Sequence, residues 1–214
     1  LHLCDRRQRQ MCIRDRAGAS RSLYMDGNAT IIAANKLLAA MRKEDGTLRT
    51  YDEMKAEGIE TKYLGRYETN TTPGLCRLDP NTGIGDPTPA FTYCLNLAEV
   101  EVDTKTGKTT VLKFTCVDFV GRIGNIDAVN GQAYSGIMHG IGFALKEDYA
   151  DVKKHANMFG AGTSYIKDVP DDINLIHIDG AISDGPFGSS GASEAFQASG
   201  HCAVLNLSLI HISE

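Results

Sequence analysis

A chain of 214 residues with 42 % hydrophobic and 23 % charged side chains has the balance of an ordinary soluble globular protein, long enough for one sizeable core or two small ones. Its formal net charge of -5 argues against nucleic acid as a partner, and it has no run of about 18 apolar residues that would suggest a membrane span. The six cysteines, at 4, 12, 76, 94, 116 and 202, form no C-x-x-C pair; this gives no support to zinc-ribbon or iron–sulfur readings and fits reduced thiols in a cytoplasmic setting.

The two ends differ from the middle. Residues 1–16, LHLCDRRQRQMCIRDR, hold five Arg and two Asp with little apolar periodicity, and residues 207–214, LSLIHISE, break off a helix-like run without a cap. Both resemble translated sequencing-adapter read-through. They are read as non-native flanks around an authentic stretch of 17–206. A basic nucleic-acid arm at the start and a small β-strand at the end are the competing readings.

Ala17 to Ser22, AGASRS, is a small-residue loop whose backbone can approach an anion; a plain flexible linker is the alternative. Ile31, Ala34, Leu38 and Met41 then recur at helical spacing, with Arg42 and Lys43 suited to a C-terminal end and Gly46 to a stop. A second helix is expected at Thr50–Glu57, where Thr50 and Glu53 have capping-box spacing. A short strand is expected near Tyr63–Tyr67. Four prolines and three glycines make 71–89 an irregular loop, with an active-site or interface role or a surface excursion as its two readings.

The clearest β signal is a hairpin, Ala90–Asp103 and Lys108–Phe119 around TKTGK, with Gly107 supplying the positive φ of the turn. Val100 and Val102 share a face on the first strand, as do Leu112, Phe114 and Cys116 on the second. The loop VGRIGNIDAV leads to a helix expected from Asn130 to about Glu147. Gln132, Gly136 and Gly140 lie on one face of that helix, and two glycines there point to close approach of another backbone or a flat ligand, with ordinary packing of the helix on a sheet as the alternative. Residues 150–170 read as loop, and Ile173–Asp179 as a strand.

Residues 185–201 begin as a Gly/Ser loop and turn helical with Ser193 and Glu194 at the junction. The first turn of a helix offers free N–H groups and partial positive charge, which favours an ionised carboxylate and makes Glu194 a candidate base. The histidines at 139, 155, 177 and 201 lack metal-ligand spacing and read as ordinary satisfied residues. A P-loop motif is absent. A nucleophile elbow fails because residues 188–192 read GSSGA rather than GxSxG. Glu194, Gln132 and the small loops 17–22 and 121–128 can together form a cradle for an anionic cofactor with one carboxylate base.

Three stretches, AGASRSLYMDGNA, GRIGNIDAVNGQAYSGIMHGIGFALKEDY and GPFGSSGASEAFQASGHCAVLN, occur in an order that resembles the C-terminal part of the molybdenum-binding subunit of the xanthine dehydrogenase/aldehyde oxidoreductase family. The details are more similar to bacterial aldehyde oxidoreductases than to purine-oxidising members. The resemblance implies an α+β fold, with mixed sheets, a long hairpin and packed helices, forming a fragment of a molybdopterin-binding domain. It implies a molybdopterin cofactor with molybdenum, in the cytosine dinucleotide form, and [2Fe–2S] clusters in further domains or partner subunits. By the same resemblance Glu194 is the catalytic base. Ala19, Ser20, Arg21 and Ser22 match a first cofactor loop, Gly124, Asn125 and Ala128 a second, Gln132 the amide that contacts the pterin, and Ser190 and Ser193 backbone donors beside the glutamate; no residue here is implied as a direct metal ligand. The implied reaction is oxidation of an aldehyde to a carboxylic acid with water-derived oxygen, with hydroxylation of an N-heterocycle or an inactive truncated fragment as alternatives. The implied partners are the aldehyde or heterocycle substrate and an iron–sulfur domain or subunit as electron acceptor, without nucleic acid or membrane; homo-oligomeric assembly is left open.

Overall fold

The structure, a computed structural model, describes residues 20–68, 81–82, 90–151 and 153–212. It divides into two compact units, Leu1–Ala90 with Ser183–Gly188, and Phe91–Ile182 with Ser189–Glu214.

In the first unit a single π-helical turn, Ser22–Asp26, runs straight into helix α1, Gly27–Met41. The residues of α1 that face a neighbour are not the expected Ile31–Ala34–Leu38–Met41 stripe, since Leu38 is 45 % exposed. The neighbour is instead the segment 59–68, expected to include a strand near Tyr63–Tyr67 and found without β structure. A Cβ on Gly65 would stand 1.8 Å from the Ala29 carbonyl oxygen and 2.8 Å from the Ala33 nitrogen, so the segment lies with its backbone against the alanines of α1. Lys36 Nζ donates to the Leu64 carbonyl at 2.9 Å, and the Tyr24 and Tyr67 rings meet edge to face. The alternation in 63–67 thus records packing on a helix rather than on a sheet. The irregular loop expected over 71–89 lies outside the described residues except at Asn81 and Thr82.

Helix α2, Tyr51–Ala56, is the expected second helix. Its capping box is complete: Thr50 Oγ1 accepts from the Glu53 amide at 3.3 Å, and a Glu53 carboxylate oxygen accepts from the Thr50 amide at 2.7 Å. Met54, 1 % exposed, is its buried anchor. The segment Ser183–Gly188 belongs to this unit too. Asn28 Nδ2 donates to the Asp184 carbonyl at 2.9 Å, and Gly27 leaves room for Pro186.

The second unit is built on a three-stranded sheet of order β1–β2–β3. Strands β1, Tyr93–Val102, and β2, Thr109–Phe119, form the expected hairpin; Gly107 takes φ +73° in the turn, and its amide donates to the Asp103 carbonyl at 2.7 Å. The register holds one irregularity. Glu99 pairs with Lys113 but Val100 with Val111, leaving Leu112 as an extra residue. This bulge turns Leu112 out, 52 % exposed, and Val111 in, so Leu112 does not share the face of Phe114 and Cys116. Strand β3, Asp172–His177, runs parallel to β2.

Helices α3, Ile126–Leu145, and α5, Ser193–Ile212, cover one face of this sheet; a single turn, α4, Met158–Ala161, lies between them in sequence. The core joins Val111, Phe114, Cys116 and Val120 to Ala133, Ile137 and Ile141 of α3 and Phe196 and Val204 of α5. Burial of each large side chain in such a core contributes about 1.5–3 kcal/mol before entropy is counted. The fold class is α+β, as expected. Among the described residues no helix is long and apolar enough to cross a membrane.

The capping box of α2 gives a direct expectation. Replacement Thr50→Ala should weaken the local structure by about 1 kcal/mol, read as faster amide hydrogen exchange within Tyr51–Ala56. Hydrogen bonds from the Thr50 amide and from Lys43 hold the Glu53 carboxyl below its usual range. The support is therefore present above the carboxyl's unfolded pKa and is lost as pH falls through its lower folded value. Acidification should thus quicken exchange in that helix in the parent and in Thr50→Ala alike, since both keep the amide at residue 50 that the Glu53 carboxylate accepts from.

Candidate functional site

Helix α3 follows β2, α5 follows β3, and both pack on the same face of two parallel strands. The two helices run parallel to each other. A Cβ on Gly136 would stand 2.6 Å from Phe196 Cβ, and one on Gly140 would stand 3.1 Å from the Gly200 carbonyl carbon and the His201 nitrogen, so contacts advance together along both helices. Both N-termini therefore lie at the same end, beyond the carboxyl ends of β2 and β3, where open α/β sheets place their ligands. At 1.5 Å per residue, Gln132 sits about 6 Å before the Gly136 contact and Glu194 about 3 Å before the Phe196 contact.

This end gathers Gly124, Asn125, Ala128, Gln132 and Glu194, all exposed. Helix α3 begins four residues earlier than expected because Asn125 caps it: Asn125 Oδ1 accepts from the Ala128 amide at 3.0 Å. Glu194 lies in the first turn of α5, where a negative side chain complements the helix dipole. Glu194 also borders a groove of about 280 Å³ with Gly140, Phe143, Gln197, Ala198 and His201, in which the Phe143 and His201 rings meet edge to face.

Ser193 is the first residue of α5 and half-buried. Ser190 is buried; its amide donates to the Val120 carbonyl at 2.8 Å and its hydroxyl donates to the Phe91 carbonyl at 3.0 Å, which ties the loop before α5 to the sheet. Ser20, Arg21 and Ser22 belong to the first unit, and Ala19 lies outside the described residues. Ser20 has φ +58°, a left-handed conformation of about 1–2 kcal/mol cost for a residue with a Cβ, and with Arg21 as N-cap and Ser22 in the π-helical turn the expected loop is helical from Arg21 on.

Absent from the sequence reading is a buried polar chain at the same strand ends. Asp118 Oδ2 lies 2.6 Å from His177 Nδ1, and His177 Nε2 lies 2.7 Å from Asn130 Oδ1. Burial pushes the Asp118 carboxyl above its usual range, and His177 opposes that shift. A signal existed: Asp118 follows Phe114 and Cys116 on the inward phase of β2, where an acid has to find a partner.

The residues at this end suit a flat polyanionic cofactor. Side-chain positions at Gly124 and Gly131 are open, with nothing within 4 Å of an added Cβ. Two helix N-termini present partial positive charge, and the Gln132 amide can both donate and accept.

Comparison with known proteins points the same way. A family profile described as molybdopterin cofactor-binding domain matches residues 8–170. The aldehyde oxidoreductase of Megalodesulfovibrio gigas is 42 % identical over 190 residues, which is 89 % of this chain and 21 % of that protein. A probable hypoxanthine oxidase, XdhD, of Escherichia coli is 31 % identical over 112 residues, 50 % of this chain and 12 % of that protein. Among solved structures, aldehyde oxidoreductase from Desulfovibrio gigas superposes with a TM-score of 0.79 at 41 % identity, over 89 % of this chain and 21 % of that one. The enzyme from Desulfovibrio desulfuricans gives 0.78 at 42 %, over 89 % and 20 %. The chain thus spans about a fifth of the length of the aldehyde oxidoreductases it matches.

The helix seam is testable with two glycines of α3. Gly136→Ala should destabilise the protein by about 1–3 kcal/mol, since the added methyl meets the backbone of α5. Gly131→Ala, in open space on the same helix, should be neutral or stabilising by up to about 1 kcal/mol. Chemical denaturation of the two variants beside the parent measures the contrast, and equal effects would contradict the close seam.

Proposed function

The chain belongs to the molybdopterin cofactor-binding domain family, and from that premise we propose that the subunit containing it oxidises an aldehyde to a carboxylic acid with water-derived oxygen, with Glu194 as the base. The observation that carries this reading is the placement of Glu194 in the first turn of α5, at the end where the N-terminus of α3 presents Gln132. The likeness to aldehyde oxidoreductase over 89 % of the chain supports the choice of substrate class.

When bound, the molybdenum–pterin group, in its cytosine dinucleotide form, supplies the two-electron oxidation and the oxygen that is transferred, with [2Fe–2S] centres outside this chain as electron acceptors. The residues described here bind, orient and move a proton. Gln132 reads the polar edge of the pterin through an amide that donates and accepts. Gly124, Asn125 and Ala128 bring backbone close to the dinucleotide, because no side chain stands at Gly124 and the Asn125 side chain is turned back onto its own helix. By the same reading Ala19, Ser20, Arg21 and Ser22 are a further cofactor-binding stretch; Arg21 is the N-cap of the π-helical turn that Ser22 begins, and its guanidinium is suited to phosphate. Ser190 holds the approach to α5 in place and Ser193 opens the helix. Glu194 takes up the proton as the oxygen nucleophile forms, which is general-base work for a carboxylate held at the reacting centre. Segments outside 1–214 complete the substrate channel.

Oxidation of an N-heterocycle is the second reading, favoured by the 31 % identity to a probable hypoxanthine oxidase. A panel of aldehydes and purines on the full-length subunit separates the two. For the base, Glu194→Gln in that subunit should lower aldehyde turnover by about 10²- to 10⁴-fold with cofactor content unchanged. A near-parental rate would remove Glu194 from its role.

A further inference from the structure

Asp118 stands near the end of β2, His177 closes β3, and Asn130 lies in the second turn of α3. Their side chains form a continuous chain of 2.6 Å and 2.7 Å contacts, with the Asp118 carboxylate fully buried and His177 13 % exposed. Both ring nitrogens of His177 face oxygen atoms, so the ring ties Asp118 to Asn130 through its two edges. In sequence, Asp118 and Asn130 flank the stretch 119–129, so His177 bridges the two feet of the loop that carries Gly124, Asn125 and Ala128.

Stability is a poor explanation for this chain. Asp118 Oδ1 is buried with no hydrogen-bond partner among the described residues. A buried acid with an unsatisfied oxygen is the kind of group that apolar residues of equal volume replace without loss. A hydrogen-bonded chain does supply a fixed geometry. The loop's other supports are an exposed ion pair, Arg122 to Asp179 at 3.2 Å, the packing of Ile123 and Val129 on the core, and a few local hydrogen bonds. Asn125 caps its own helix, while Gly121 bridges to Ser189 and Ser190 bonds Val120 at the loop's start; Gly124 touches nothing within 4 Å of an added Cβ.

We propose that Asp118, His177 and Asn130 are positioning residues that clamp the base of the 121–128 loop and so hold that loop, with Gln132 at the start of α3, in the geometry the cofactor meets. The proposal rests on the cofactor reading above. The clamp acts through the loop and does not touch the reacting atoms.

The test uses the full-length subunit produced with cofactor supply. Asn130→Ser leaves a hydroxyl too short to reach His177 at nearly unchanged helix propensity. His177→Gln cannot bridge both neighbours. In each, amide exchange across 121–130 should quicken about tenfold, as expected for loss of a buried hydrogen bond, while exchange in Tyr93–Val102 stays parental. Molybdenum and pterin per subunit should fall with it. Asn130→Asp, which keeps an acceptor in reach of Nε2, should restore both. Parental exchange and cofactor content in Asn130→Ser overturn the proposal, as does an acceleration that spreads equally through Tyr93–Val102. If His177→Gln does not fold, the Ser and Asp substitutions at Asn130 decide the matter. A parental subunit that carries no pterin defeats the cofactor reading instead, and the exchange comparison still decides whether the clamp holds the loop.

Discussion

The approach of α3 to α5 depends on Gly136 and Gly140, because the backbone of α5 occupies the space in which side chains there would stand. Two helices in such contact cannot rotate or slide without losing it. Their parallel course follows from the chain: each descends from one of two parallel strands onto the same face of the sheet. Gln132 and Glu194 come to one end of the unit as a result, although 61 residues of sequence lie between them. The core beneath, centred on Phe114, Ile137 and Phe196, fixes the distance of the pair from the sheet.

Polar contacts then set details that packing leaves free. Asn125 decides where α3 begins, and Ser190 decides how the chain approaches α5. Small residues in these loops serve the interior at some positions and leave space at others. Gly136 is filled by Phe196, and Gly27 by Pro186, while Gly124 and Gly131 face nothing. Gly46, Gly58 and Gly107 also have no neighbour, but each takes a positive φ that explains the glycine, whereas Gly124 and Gly131 do not and leave open space at the start of α3, ahead of Gln132.

Much of this was legible in the sequence because the signals were local. The TKTGK turn, the Thr50/Glu53 spacing and the glycine stripe of α3 each have a physical cause within a few residues, and each is found. Non-local effects account for the rest. The alternation at 63–67 has the same form whether a strand or a helix lies beside it, and here the helix α1 does. The bulge at Leu112 depends on how the opposite strand registers, so the inward set shifts to Val111. The start of α3 was missed because Asn125 reads as a loop residue until its side chain is seen on the Ala128 amide. The partnership of Asp118, His177 and Asn130 joins three elements and has no short-range spacing; the inward acid on β2 was its sole trace. At the candidate site, the proximity of Gln132 to Glu194 needed the parallel helices, whereas the candidates themselves came from motif order.

The shared direction of α3 and α5 carries a consequence for folding as well. Side-by-side parallel helices align their dipoles, so like partial charges crowd at each end, whereas antiparallel neighbours would cancel. In this unit the crowded positive ends lie together beyond the strands. Asp127 and Glu194, in the first turns of the two helices, answer part of that field, and a bound anion would answer more of it. Occupancy of that end and integrity of the helix pair are therefore two aspects of one equilibrium, and any polyanion that fits there draws the chain towards its folded form by mass action.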